Sequence, residues 1–363
     1  MGYFEKVYSI LYKIKGRNTV MGIEKSNLNE NKIKCVLEKE YDIIAIDITE
    51  INRGTSNIFK IKSDKGKYIL KEFTTKRTKD TIIKEVKIIN FLRKRKINVP
   101  KYVKTMDNKF YIANEGRIII VQEFIDGYTV ESNTGDYKEV IECANILGKL
   151  TKELMDFPEL SEENIIEEYF SKNRIHAGIE KMKQLKKELK GDNKYKKQIE
   201  EDIDHKIKIS KEIEENFDFD SIKKLTMLNS HGDFCTQQLI YNDKKEPTII
   251  DFEKAKKLPI VWEIMRSYSY IDKEAQDGNI NIDTLVDYFK VFTKYIKLNQ
   301  YDLKYASYIY LLQLVSSIYG YKEYNDDYNQ KELLEFAFFR TKLCNFLYEH
   351  LEQISSTLTG SII

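Results

Sequence analysis

The hydrophobic period changes along this chain, and the change divides it. Between residues 43 and 122 the apolar residues come in short β-rich runs, at 43–48, 57–61, 67–71, 110–112 and 117–122. Turn chemistry separates the first three runs, at Arg53-Gly54-Thr55-Ser56-Asn57 and at Ser63-Asp64-Lys65-Gly66. A single helical stretch interrupts them over 79–95, with Ile82, Val86, Ile89, Phe91 and Leu92 apolar, and it stops short of Pro100. Beyond about residue 130 the period is almost wholly helical. Segregated strands and helices of this kind make an α+β chain.

The boundaries follow from that pattern. Residues 1–42 read as a helical extension, with Phe4, Val7, Ile10, Leu11 and Ile14 at three- and four-residue steps. Residues 43–126 form a small β-rich lobe in the order β-β-β-α-β-β, and 127–363 form a large, mainly helical lobe. Within the latter, 137–157 is one helix, while 162–190 and 194–216 are two highly charged helices around Gly191-Asp192-Asn193. Ile175, Ile179, Met182, Leu185 and Leu189 stripe the first, and Tyr195, Ile199, Ile203 and Ile207 the second. The expectation is a surface hairpin over about 162–216 that closes on itself, with a substrate lid or partner arm as the alternative. Residues 302–320 and 331–355, apolar on more than one face, are expected to be buried helices. The only β-like stretch of this half is 238–241 and 247–250, around the turn Asn242-Asp243-Lys244-Lys245.

Composition narrows the partners. Sixty basic and 58 acidic residues leave a formal net charge of +2, which provides no large field for nucleic acid or an anionic membrane. Cys35, Cys143, Cys235 and Cys344 lie far apart with no CxxC pair, against a zinc site or disulfide framework and in keeping with a reducing cytosol. No basic-plus-apolar leader opens the sequence, no run of about 18 apolar residues spans a bilayer, and Lys6 replaces the hydroxyl residue of a myristoylation signal. A cytoplasmic chain is expected.

The chemistry concentrates in His231-Gly232-Asp233, followed eighteen residues past Asp233 by Asp251 in Thr248-Ile249-Ile250-Asp251-Phe252-Glu253. Carboxylates at the ends of short apolar strands are costly unless a cation or hydrogen-bond donors compensate them. One Asp to orient an attacking hydroxyl and another to hold metal on a nucleotide is the pattern of Mg²⁺-dependent phosphoryl transfer. Upstream, Gly54, Ser56 and Asn57 join two strands and offer backbone N–H groups to phosphates, although a plain hairpin turn explains them as well. Lys71 ends a strand and Glu85 lies fourteen residues on, placed to pair with it or to be an ordinary charge on a charged helix.

The order and spacing of these residues resemble the aminoglycoside phosphotransferase and choline kinase family, whose signature runs His-Gly-Asp, four residues, Asn, then a strand ending in Asp. The likeness covers about 43–275 and is most specific at 231–253. It implies a two-lobed protein-kinase-like fold with ATP or GTP between the lobes and transfer of the γ-phosphoryl group to a small-molecule hydroxyl. By resemblance, Lys71, Glu85 and the hinge near Glu123 and Ile125 hold nucleotide, Asp233 is the base, and Gln238 and Asp251 hold Mg²⁺. Glu253, two residues along an extended chain, assists a second metal or the substrate, and His231 fixes the loop. Gln238 stands where the family has Asn, and 234–237 lack the usual His-Pro-Gly. A kinase-like protein of the spore coat, structural or weakly catalytic, is the alternative. A protein kinase is disfavoured, since no Asp-Phe-Gly or Ala-Pro-Glu follows the loop.

Overall fold

A computed structural model describes residues 26–51, 56–75, 77–158, 160 and 165–362. The expected helix over 4–14 and the turn residues Arg53, Gly54 and Thr55 lie outside the described residues. The strands are β1 Ala45–Ile51, β2 Asn57–Ser63, β3 Gly66–Glu72, β4 Ile112–Asn114, β5 Arg117–Glu123, β6 Met227–Ser230, β7 Leu239–Tyr241, β8 Pro247–Ile249 and β9 Lys256–Pro259. The α-helices are α1 Glu30–Tyr41, α2 Lys79–Lys94, α3 Tyr137–Leu154, α4 Ile165–Phe170, α5 Lys172–Glu188, α6 Lys196–Asn216, α7 Ile260–Ile271, α8 Ile282–Thr293, α9 Gln300–Val315, α10 Tyr321–Asp326 and α11 Lys331–Ile362. They form two compact units, Met1–Thr129 with Leu239–Glu253, and Val130–Gln238 with Lys254–Ile363.

The first unit is built on an antiparallel sheet in the order β1-β2-β3-β5-β4. Period-two alternation gives the sheet two different faces. Phe59, Ile61, Leu70, Ile119 and Val121 share one face and bury it against Ile33, Leu37 and Tyr41 of α1. Lys71, paired in register with Ile58 and Ile120, points to the other. Helix α2 starts on Thr78, whose hydroxyl oxygen accepts the Thr81 N–H, and buries Ile82, Glu85, Val86 and Ile89. β1 begins at Ala45 rather than at residue 43, because Ile43 is taken up by the end of α1. Its N–H donates to the Leu37 carbonyl and its side chain is 1% exposed.

The β7–β8 hairpin belongs to this unit, and not to the helical half in which the sequence reading put it. Tyr128 and Tyr241 exchange backbone hydrogen bonds of 3.0 and 2.8 Å, and the Ile249 N–H donates to Asn98. Gly127 permits the approach, since a Cβ there would lie 2.3 Å from the Tyr241 carbonyl oxygen.

The second unit is helical apart from β6 and β9, an antiparallel pair absent from the sequence reading. Met-Leu-Asn-Ser and Lys-Lys-Leu-Pro carry little β propensity, so their pairing is a product of tertiary context. The expected helix over 162–190 is broken at Ser171, whose hydroxyl caps α5 through the Arg174 N–H. The charged pair does not merely close on itself. Lys206 of α6 is buried and donates to the Ser317 carbonyl at 2.5 Å, Asn325 bonds across to the α5–α6 turn, and Tyr321 donates to Asp202. Helix α9 stops at Val315 and α11 runs on to Ile362 with a kink at His350. Among the described residues no helix is long and apolar enough to cross a membrane.

Candidate functional site

In the first unit the chain gathers Lys71, Arg77, Glu85, Tyr102, Asp251 and Glu253. Glu85 is 3% exposed. Burial pushes its carboxyl above the usual range, while Lys71, the Tyr102 hydroxyl and Arg77 pull it back, and Asp251 adds to the rise. Lys71 and Glu85 are therefore brought within electrostatic reach, as the fourteen-residue spacing suggested. Burial lowers Arg77, and the carboxylates of Glu85 and Asp251 oppose that shift. Its guanidinium forms an ion pair with Glu253 and lies 5.6 Å from the Phe73 ring centre.

Asp251 has a φ of +68°, a left-handed conformation that costs a non-glycine residue about 1–2 kcal/mol. The backbone then enters a 3₁₀ turn over Phe252–Lys254. Glu253 is consequently not the second carboxylate of an extended strand, as its spacing suggested. Its partner is Arg77, a residue that no motif or spacing singled out.

Two expected nucleotide residues, Asn57 and Glu123, have other engagements. The Asn57 amide donates to Glu72 at 2.8 Å, and Arg117 reaches the same carboxylate oxygen at 3.0 Å. This buried network lies on the α1 side of the sheet and ties the ends of β2, β3 and β5. The Glu123 N–H donates to the Lys101 carbonyl, and its carboxylate accepts the Lys101 N–H at 2.8 Å. Ser56 and Ile125 are partly exposed, and Gly54 lies outside the described residues.

In the second unit the His231-Gly232-Asp233 loop is held from below by α7. The carboxylate of Glu263 accepts the backbone N–H groups of His231 at 3.2 Å and Gly232 at 2.5 Å. Burial pushes that carboxyl up, opposed by His231, the Gly232 N–H, Arg266 and the Phe234 N–H. Gly232 is required here: its φ is +79°, and a Cβ would meet the Lys254 carbonyl oxygen at 2.1 Å. His231 is fully buried, edge-on to Phe234 with ring centres 5.9 Å apart, which suits a fixed loop.

Asp233 forms an ion pair with Arg266, one helical turn beyond Glu263 on α7. Burial lowers the Arg266 guanidinium, but Asp233 together with Tyr270, Cys235 and Tyr310 outweighs it and the net shift is upward. The Asp233 side chain is 34% exposed, open enough to receive a ligand. Glu263 and Arg266 were missed by the sequence reading. The clue was present: Glu263 interrupts Ile260-Val261-Trp262 and Ile264-Met265, the same anomaly of charge in an apolar run that marked Asp251.

Gln238 closes a 3₁₀ turn whose N–H donates to the Cys235 carbonyl at 3.1 Å. The Cys235 thiol in turn donates to Gln238 Oε1 at 2.7 Å. An amide oxygen has two lone pairs, so one remains for another partner. Among the described residues no group of three or more His, Cys, Asp or Glu is arranged to hold a metal. Mg²⁺ on a nucleotide requires only one or two protein oxygens, with phosphates and water for the rest. Asp251, a hard oxygen donor beside Glu85 and Arg77, fits that demand, as does the free lone pair of Gln238.

The sheet with Lys71 in electrostatic reach of Glu85, and the helical unit with its Asp233 loop clamped from α7, are those of a protein-kinase-like phosphotransferase fold. The chain belongs to the phosphotransferase enzyme family known as APH, whose model matches residues 47–293. Among solved structures it is similar to an aminoglycoside phosphotransferase from Alicyclobacillus acidocaldarius, at 18% identity and a TM-score of 0.64 over 92% of this chain and 98% of that one. A spectinomycin phosphotransferase matches at 15% identity and 0.60, over 90% of this chain and 100% of that one. An ethanolamine kinase from Plasmodium vivax matches at 15% and 0.55, over 96% and 95%. No curated protein matches the chain significantly.

Proposed function

We propose that the chain transfers the γ-phosphoryl group of ATP or GTP to a hydroxyl of a small molecule. The observation that carries this reading is the cluster of Lys71, Glu85 and Asp251. A buried carboxyl lies within electrostatic reach of a strand-end lysine and of a second carboxylate held at a strained backbone position. Lys71, oriented by Glu85, would pair with nucleotide phosphates, and Asp251 with Gln238 would hold Mg²⁺ on them. The metal, when bound, supplies charge neutralisation at the phosphate oxygens. Asp233 would accept a hydrogen bond from the acceptor hydroxyl and take its proton as the new O–P bond forms and the bond to the leaving diphosphate breaks. Arg266 holds the Asp233 carboxylate in place, and Glu263 holds the backbone that carries it. The similar spectinomycin phosphotransferase is seen with ADP and spectinomycin.

A kinase-like binding protein, such as a spore-coat component, is the second reading. One observation favours it: Gln238 Oε1 already accepts the Cys235 thiol. The two part on a thermal-shift measurement with Mg·ATP and Mg·GTP, followed by acceptor-dependent release of nucleoside diphosphate. Stabilisation at millimolar nucleotide with acceptor-dependent release supports the enzyme; neither effect with a broad acceptor set refutes it.

A further inference from the structure

Asp251 presents its carboxylate from a backbone conformation that it does not favour. Its φ of +68° is left-handed, and a non-glycine residue keeps such a conformation only where its surroundings hold it there. The two residues that follow supply that hold. Phe252 is fully buried and anchors the 3₁₀ turn by packing. Glu253 anchors it by charge, through the ion pair with Arg77.

Arg77 can serve as an anchor because it is itself fixed. Its N–H donates to the Thr74 carbonyl at 3.0 Å, closing a turn between β3 and α2. Phe73 is 2% exposed, its N–H donates to the Ile118 carbonyl at 2.8 Å, and its ring centre lies 5.6 Å from the guanidinium. Thr78, the next residue, caps α2, the helix that carries Glu85. The Arg77 and Glu253 side chains are 18% and 15% exposed, so water and salt loosen this pair less than they would one on the open surface. Glu85 and Asp251 both act on the Arg77 guanidinium, which places the tie within electrostatic reach of the candidate metal ligand.

On the phosphotransferase reading above, we infer that Arg77 is a positioning residue for the nucleotide-borne metal. Through Glu253 it holds the turn that aims Asp251, and so sets how tightly Mg²⁺ is bound, without touching metal or nucleotide. A role through charge alone has a different signature. A bare guanidinium beside Asp251 repels Mg²⁺, so its removal would tighten metal binding, while removal of the Glu253 carboxylate would loosen it. Removing both charges together leaves the local net charge unchanged, and metal binding then weakens only if the tie itself mattered.

The test uses the full chain with a non-hydrolysable ATP analogue and reads the Mg²⁺ concentration at half-maximal thermal stabilisation. In the double variant Arg77→Met with Glu253→Gln that midpoint should rise about five- to thirtyfold, the population a left-handed non-glycine residue loses once released. Stabilisation by the analogue in EDTA should match that of the native chain. Glu253→Asp keeps both charges and shortens the tie by one methylene; it should raise the midpoint by a smaller factor, and it decides the matter if the double variant does not fold. A native midpoint in the double variant, or in Glu253→Asp where that alone folds, overturns the inference and leaves the phosphotransferase reading intact. So does an equal loss of stabilisation with and without Mg²⁺, which marks Arg77 as a general structural residue. No stabilisation of the native chain by the analogue with Mg²⁺ defeats the phosphotransferase reading instead. The tie is then judged with Mn²⁺ alone: stabilisation that weakens in the double variant supports it, and equal stabilisation overturns it.

Discussion

Replacing Cys235 should change how much magnesium the protein needs. Gln238 is one methylene longer than the Asn found at that position in the family, and a free Gln side chain carries up to about 1.5–2 kcal/mol of rotamer entropy. The Cys235 thiol removes part of that freedom by bonding Oε1 at 2.7 Å inside a turn already closed by the Gln238 N–H. A net hydrogen bond is worth about 0.5–1.5 kcal/mol. If the aimed oxygen is a metal ligand, Cys235→Ala should weaken the Mg²⁺ dependence of nucleotide binding by about two- to tenfold. Cys235→Ser, which keeps a donor at nearly the same place, should recover most of it. Global stability should fall far less than for a fully buried amide, because Gln238 is only partly buried and water can replace the thiol. The assay is a Mg²⁺ titration at fixed ATP, read by thermal shift and by ADP release, beside urea unfolding of each variant. A Mg²⁺ dependence unchanged in both Cys235→Ala and Gln238→Ala would refute residue 238 as a ligand and the thiol as its guide.

Other outcomes follow from the same geometry. Asp233→Ala should abolish transfer while leaving the Mg·ATP thermal shift in place; near-normal turnover would remove the base. Gly232→Ala should cost about 2–4 kcal/mol in urea unfolding, from a strained positive φ and a required shift of the Lys254 backbone. Burial lowers Lys206 from 10.5 to about 8, with Cys344 and Asp202 raising it and Arg340 lowering it. The native state therefore binds fewer protons than the unfolded state between about pH 8 and 10.5, and this contribution to stability rises with pH across that window. At neutral pH the penalty is fully present, of the order of 3 kcal/mol. Lys206→Met should accordingly lack the rise, measured as the difference between the two unfolding free energies at pH 7.5 and 10; parallel curves would contradict it.

Much of this was legible in the residues, because the relevant signals are local. The sheet runs, helix α2, and the strand-ending carboxylate Asp251 all follow from short-range periodicity and turn chemistry. The Lys71–Glu85 relation was readable as well, since a strand and the next helix leave few placements for a pair fourteen residues apart. The partner of the Asn57 side chain was not legible, because a polar residue in a turn gives no hint of which face of the sheet it joins. Here it joins Glu72 and Arg117 behind the sheet.

Sequence alone determined the alternation of periods, hence an α+β chain, the motif at 231–253 that carries the resemblance to the phosphotransferases, and the positions of the candidate carboxylates Asp233, Asp251 and Glu253. Tertiary structure decided which charges those carboxylates meet: Arg266 for Asp233, Arg77 for Glu253, Glu263 beneath the loop. It also decided that the β7–β8 hairpin joins the sheet-bearing unit and that β6 finds β9. Ion pairs and ladders between distant segments depend on which surfaces the folded chain brings within a few ångströms, and no local pattern encodes that distance.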